Sequence, residues 1–278
     1  MALLAQTYAD FEVVIADNAS VDRTEEISRA AAANDSRIRY DRSPVNRGAA
    51  WNFNHAFTLA TGTYFKWSAY DDLCERTFVE RCVDALDAMP EAVLAYPQTR
   101  FIDEDGNVIR DHDDKLALTE DTAHDRLRHL ITALGYANPM HGLIRADVLR
   151  QTRLHGAYPS SDYILLTELA LIGRFVEVPE RLFLRRLHPA MSRLANPGAA
   201  EATIWFRPDA ELRYRAESWK LVLEHVRAIA RAPIPRAERL RCAVVFARVG
   251  GRRYGSHLVR ELGELTASIA RSVVRTGR

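Results

Sequence analysis

A chain of 278 residues with 47% hydrophobic and 27% charged residues has ordinary globular usage, which excludes a wholly disordered protein. Its 38 basic and 37 acidic residues leave a formal charge of +1, so no global basic field marks a nucleic-acid binder. No apolar run reaches the ~20 residues that span a bilayer, and no basic start with an apolar core marks a secretory leader, so a cytoplasmic protein is expected.

FEVVIA at 11–16 is a short apolar run ending in Asp17, a buried-strand pattern. Asp22 stands three residues before Glu25, a capping-box spacing that predicts a helix to about Ala33. IRYDR at 38–42 reads as a second strand. Gly48 to Ala60 reads as a helix with Ala49, Phe53, Ala56, Phe57 and Ala60 on one face. TYFKWSA at 63–69 reads as a third strand, followed by a helix with the stripe Phe78, Cys82, Ala85, Leu86 and Met89 that Pro90 ends. Strand alternating with helix predicts an α/β domain with a mostly parallel sheet flanked by helices.

From Val93 the pattern changes. AVLAY and TRFI, the turn DEDGN and then VIR predict a β-hairpin near 100–110. Helices are expected near 121–133, 146–152 and 161–172, and FVEV (175–178) with RLFLRR (181–186) reads as a second hairpin-like pair. Pro197-Gly198 divides this α/β unit, 1–196, from a helical C-terminal extension, 197–278. In the extension Leu212, Trp219, Leu223 and Val226 form one stripe, and Leu258, Leu262, Leu265, Ile269 and Val273 a second. From Arg236 to Arg278 ten Arg face three Glu, a local +7. That charge beside a Leu/Ile stripe suits peripheral contact with an anionic membrane; packing on the α/β unit or a homodimer partner is the competing reading.

Three cysteines (Cys74, Cys82, Cys242) are odd in number and lack metal-type spacing, which predicts reduced, packed thiols. In an open parallel sheet, ligands bind beyond the carboxyl ends of the strands. There the chain places Asp17-Asn18, Asn46-Arg47-Gly48 and Asp71-Asp72. Adjacent carboxylates suit Mg²⁺ or Mn²⁺, which takes one or two carboxylates plus substrate phosphates. One of the two acids is also expected to cap the next helix. Asp17-Asn18 suits a base or ribose, or else a strand-end turn. Asp162 falls in the first turn of a helix, where the dipole favours a carboxylate, and His188 is a lone histidine. The acids at 103–105 and Asp111, Asp113 and Asp114 read as solvated turn residues.

Taken together, QTYADFEVVIADNAS (6–20), NRGAAWNFN (46–54), FKWSAYDDL (65–73), SDYILLTELALIGRFVEVPE (161–180) and LFLRRLHPAMS (182–192) resemble glycosyltransferase family 2. The resemblance implies a GT-A-like nucleotide-diphospho-sugar-binding fold and a metal-assisted, inverting sugar transferase, most often with a UDP-sugar donor and a glycan or lipid-linked acceptor. Asp17 and Asn18 would then contact the nucleobase and ribose, with Asn46 and Arg47 near the nucleotide. Asp71 and Asp72 would be this chain's version of the DXD-type motif, holding the diphosphate through Mn²⁺ or Mg²⁺, with His188 approaching the metal. Asp162 would be the general base, a task that an ordinary ionised carboxylate can perform. The family's opening strand and loop have no counterpart ahead of Gln6, which reads first as a start placed too far downstream and, as the alternative, as a non-catalytic nucleotide-binding relic.

Overall fold

The structure, a computed structural model, describes residues 3–196, 198–209 and 216–276, with Ser192, Arg193, Ala199 and 267–276 described by backbone alone. Pro197 and Leu212, used above for the boundary and a stripe, lie outside the described residues, as do the side chains of Ile269 and Val273.

The first half follows the predicted alternation. β1 (Val13–Asp17), α1 (Thr24–Asn34), β2 (Ile38–Arg42) and α2 (Ala49–Leu59) succeed one another, and β1 pairs with β2 in parallel. Asp22 starts α1 by accepting the Thr24 N–H at 3.0 Å and its hydroxyl at 2.6 Å. Glu25 does not complete a capping box; it pairs with Arg29 and Arg42.

A second, six-stranded sheet contains β3 (Tyr64–Phe65), β4 (Leu73–Cys74), β5 (Ala92–Ile102), β6 (Val108–His112), β7 (Leu143–Arg145) and β8 (Arg174–Arg186). It is mixed: β5 and β8 are parallel, whereas β3–β7, β4–β8, β5–β6 and β5–β7 are antiparallel. The third predicted strand therefore shrinks to two laddered residues, because its partner β7 is itself only three residues long. The hairpin at 100–110 forms, with Gly106 at φ +90° in its turn. The second expected hairpin does not. FVEV and RLFLRR run on as the single strand β8, and the register steps from Pro97–Val178 to Gln98–Arg181. Pro179 has no N–H to give the ladder, so it and Glu180 bulge out and the strand resumes.

The helices of this half are α3 (Phe78–Ala88), α4 (Ala123–Ala133), α5 (Ala146–Leu149) and α6 (Ser161–Ile172), and α7 (Ser192–Ala195) and α8 (Ala199–Phe206) follow β8. Neither Asp71 nor Asp72 caps α3, since β4 intervenes and Thr77 precedes its first turn. The three cysteines are free and buried.

Two long helices close the chain, α9 (Glu217–Arg231) and α10 (Arg236–Thr276). Ala228, Ile229, Ala232, Cys242, Phe246 and Tyr254 join Ala123, Leu127, Ile131, Ile164 and Leu171 in one buried cluster. The extension is thus built onto α4 and α6. His225, fully buried, bonds the Thr167 hydroxyl and the Tyr254 hydroxyl, each at 3.1 Å. Among the described residues no helix is long and apolar enough to cross a membrane.

Candidate active site

Two groups of polar residues gather at strand ends. The first stands on the two-stranded sheet. Asp17 closes β1 with a side chain wholly out of solvent, and its carboxylate accepts from Ser20 N at 2.8 Å, Tyr40 Oη at 2.7 Å and Arg42 Nη1 at 2.5 Å. Burial opposes its ionisation, but these donors outweigh it and bring its pKa down to about 2. Asp17 is therefore a buttress whose oxygens are already engaged. Asn18 beside it donates from Nδ2 to Asn46 Oδ1 at 2.9 Å and to Gly48 O at 3.2 Å, and its Oδ1 accepts Arg47 N–H at 2.9 Å. These bonds lock the loop ahead of α2 onto the end of β1. The Arg47 guanidinium, exposed, lies 4.8 Å over the Trp51 ring.

Gly48 makes this closure possible. It adopts φ +86°, and a Cβ there would stand 2.3 Å from Phe206 O at the end of α8. Only glycine accepts both the conformation and the contact.

The second group stands on the larger sheet. His188 Nε2 lies 2.9 Å from Asp71 Oδ2, and the Arg186 N–H donates to Asp72 Oδ1 at 2.9 Å. Arg186 also ties the site together from Nε to Asp71 O at 2.9 Å and from Nη1 to Asp103 O and Glu104 O at 2.7 and 2.6 Å. The hairpin turn thus holds the site through its backbone, while the Asp103 carboxylate caps its own turn. Tyr70, Asp71, Leu73, Glu104, Arg186 and His188 line an open cavity of about 580 Å³.

Burial raises the pKa of Asp72, the Arg186 N–H lowers it, and the neighbouring Asp71 charge raises it again. Two carboxylates crowded in this way fit a hard divalent cation. Among the described residues no group of three or more His, Cys, Asp or Glu forms a ready metal cage. Asp71, Asp72 and His188 thus form no such cage by themselves, and an ion held there would need further ligands such as phosphate oxygens and water.

Asp162 is the second residue of α6, two after Ser160, which lies in the left-handed region at φ +61°. Its Oδ1 accepts Tyr163 N–H at 3.0 Å. Burial raises its pKa, against the pull of that N–H and of the Arg185 charge. The half-buried carboxylate is thus a stronger base than an ordinary one. The Arg185 charge also favours the ionised form of Asp72. The adjacent Ser161 hydroxyl is buried without a hydrogen-bond partner among the described residues.

The sequence reading missed Arg185, Arg186, Asn138 and His141. The arginines precede His188 in RRLHPAMS and end β8 as neighbours, so their side chains leave it on opposite faces, Arg186 toward Asp71 O and Arg185 toward Asn138. Asn138 and His141 sit in a 3₁₀ turn (Asn138–His141) that carries no local signature. His141 stacks on Phe183 at 5.3 Å, and burial, with Lys66 and Arg185 nearby, brings its pKa down to about 3. Two readings are corrected: Asp111 lies in β6 and pairs with Arg100 and Arg181, each at 2.8 Å, and Asp114 is buried and hydrogen-bonded, not a solvated turn acid. Its segment folds under β5, so its acid must find partners inside.

This geometry has counterparts. A glycosyltransferase of Haemophilus influenzae is 27% identical over 199 residues, covering 67% of this chain, and the chain spans 59% of that relative's length. S. aureus TarS in complex with UDP-GlcNAc superposes with a TM-score of 0.65 at 15% identity, over 91% of this chain and 67% of that one. A mannosyltransferase of Pyrobaculum calidifontis in complex with GDP-Man and Mn²⁺ gives 0.51 at 16% identity, over 96% and 80%. At such identities the two structures establish the fold. The family itself rests on residues 2–151, more than half of the chain, which match the model of glycosyl transferase family 2: the chain belongs to that family.

Proposed function

We propose that the chain moves a sugar from a nucleotide-diphospho-sugar, a UDP-sugar first among them, to a hydroxyl of a glycan or lipid-linked acceptor with inversion. The observation that carries the reading is the acid pair at the edge of the larger sheet, where His188 Nε2 lies 2.9 Å from Asp71 Oδ2 and the Arg186 N–H donates to Asp72 Oδ1 at 2.9 Å beside an open cavity. Asp162 takes the proton of the acceptor hydroxyl while that oxygen bonds the anomeric carbon and the bond from carbon to diphosphate breaks. Its raised proton affinity suits a base working near neutral pH. Asp71, Asp72 and His188 are the residues that would hold Mn²⁺ or Mg²⁺. The ion, when bound, neutralises charge on the departing nucleoside diphosphate. Asn18, Asn46 and Arg47, buttressed by Asp17, form the base and ribose side.

The donors named in the TarS and mannosyltransferase complexes support this class of substrate. Calorimetric titration of UDP, GDP and dTDP, with and without Mn²⁺, into the chain and Asp72→Ala tests it. Metal-dependent binding lost in the variant is expected. A folded chain that binds none of the three refutes it, and metal-dependent binding without transfer from any donor would favour the nucleotide-binding relic.

The extension supports a second proposal, peripheral contact with an anionic membrane. Leu240, Val244, Val259 and Leu262 are exposed along α10 together with Arg241, Arg248 and Arg252, a pairing of apolar and basic side chains that suits an interfacial helix. Co-flotation with liposomes containing anionic lipid is expected. No flotation refutes it, and a dimer in light scattering would then assign that face to a second copy.

A further inference from the structure

The buried acid Asp114 has no part in the chemistry above, yet it stands at the root of a hydrogen-bonded chain that ends at the site. It lies just beyond β6 and is 5% exposed. Thr99 Oγ1 donates to its Oδ2 at 2.8 Å, Asn138 Nδ2 donates to its Oδ1 at 2.9 Å, and His112 Nε2 lies 3.4 Å from the same oxygen. A carboxylate only accepts, whereas an amide has one donating and one accepting end. Asp114 therefore turns the NH₂ of Asn138 toward itself, and the amide oxygen must point the other way. There Arg185 Nη1, which can only donate, bonds Asn138 Oδ1. The same guanidinium lies 5.3 Å over the Tyr136 ring, and that ring packs edge-on against Phe101 and His112 at 5.2 and 5.3 Å. Both supports of Arg185 lead back to the residues around Asp114.

We propose that Asp114, acting through the amide of Asn138, is the positioning residue that holds Arg185 in the site as the counter-charge of Asp162. The proposal deepens the reading of Asp162 as general base and rests on it. The groups facing Asp162 are the Tyr163 N–H of its own helix and Arg185 from β8. Those sharing the field of Arg185 are Asp72 and His141. An amide turned the wrong way would aim its NH₂ at the guanidinium and displace it. The anchor works at a distance of three side chains, so neither Asp114 nor Asn138 needs to touch donor or acceptor.

The test reads the Asp162 carboxyl carbon in the full chain labelled with ¹³C-aspartate, its signal identified by its loss in Asp162→Asn. In Arg185→Gln the midpoint should rise by about one pH unit, tenfold in proton affinity. Asp114→Asn and Asn138→Ala should move it the same way by less, and Arg185→Lys should recover most of the shift. Thermal melts identify variants that fold, and Asn138→Ala serves if Asp114→Asn does not. An unchanged midpoint in folded Arg185→Gln overturns the proposal. A midpoint that moves there but stays fixed in both folded anchor variants overturns the role of Asp114. No donor, acceptor or metal enters the titration, so it fails separately from the nucleotide-binding test.

Discussion

Replacing Asp17 by Asn tests whether the donor-side loop rests on a buried charge. The carboxyl titrates near 2 in the folded chain against 3.8 ordinarily, because Ser20, Tyr40 and Arg42 outweigh the burial penalty. A depression of that size corresponds to about 2.4 kcal/mol of stability at pH 5–7. For a depressed acid, this stability is present above the unfolded pKa and is lost as pH falls through the folded one. The cost of Asp17→Asn should thus be near its full ~2 kcal/mol at pH 7 and about half of that at pH 3. Urea titrations of both chains at pH 7, 5 and 3 read the difference. Since Asn18 follows directly and holds Asn46 and Arg47, nucleotide affinity should fall in the same variant. A cost independent of pH, or one that grows toward pH 3, would refute the reasoning.

Asp162→Asn should cut transfer by about 10²–10⁴ while leaving nucleotide affinity in titration unchanged; a matching loss of affinity would count against a base. Gly48→Ala should cost about 1–3 kcal/mol in a denaturant melt, since φ +86° and the 2.3 Å approach to Phe206 O both oppose a Cβ. Stability should also fall between pH 7 and 5. Burial brings His141 and His225 down to about 3 and His155 to about 4, so the unfolded chain takes up protons first as pH drops. Each of the three can cost up to about 2 kcal/mol at pH 5, and the raised carboxyls Asp72, Asp114 and Asp162 act in the opposite sense. His225→Phe should flatten the profile, and a wild-type profile flat from 7 to 5 would contradict the burial of these rings.

What was legible in the sequence was what local chemistry dictates. The β1–α1–β2–α2 run follows from apolar strands, a carboxylate ahead of α1 and a glycine ahead of α2, and its bounds agree with the structure to within a residue or two. The polar residues at the ends of these strands were found because ligands of an open parallel sheet bind beyond the carboxyl ends of its strands. The rest depends on distant partners. Nothing near Asp114 in sequence distinguishes it from the exposed Asp113; Thr99 and Asn138, on other elements, decide it. The continuity of β8 across Pro179 likewise depends on the long ladder offered by β5, and Arg185 gains its meaning from an amide 47 residues away.

The two polar groups stand on different sheets, so any site they share depends on what joins the sheets, and α2 does so. On one side Asn52 Nδ2 donates to Ala16 O of β1 at 2.9 Å. On the other Trp67 Nε1 donates to Phe53 O at 2.9 Å, while Phe57 packs edge-on against Phe65 of β3 at 4.9 Å. Backbone hydrogen bonds join β1 to β2 and β3 to β7; contacts of α2 connect the pairs, together with Glu12 ahead of β1, whose Oε1 accepts the Thr61 N–H at 2.6 Å and hydroxyl at 2.8 Å. Loosening α2 should then separate two properties that an intact site links. Trp67→Phe keeps a ring in the core but removes the donor to Phe53, a loss of about 1–2 kcal/mol. It touches neither Asn18 nor Asp71. If α2 sets the distance between the base side and the acid pair, the variant should bind the nucleoside alone as before and lose affinity for the nucleoside diphosphate with Mn²⁺. Equal losses for both ligands would place the coupling elsewhere.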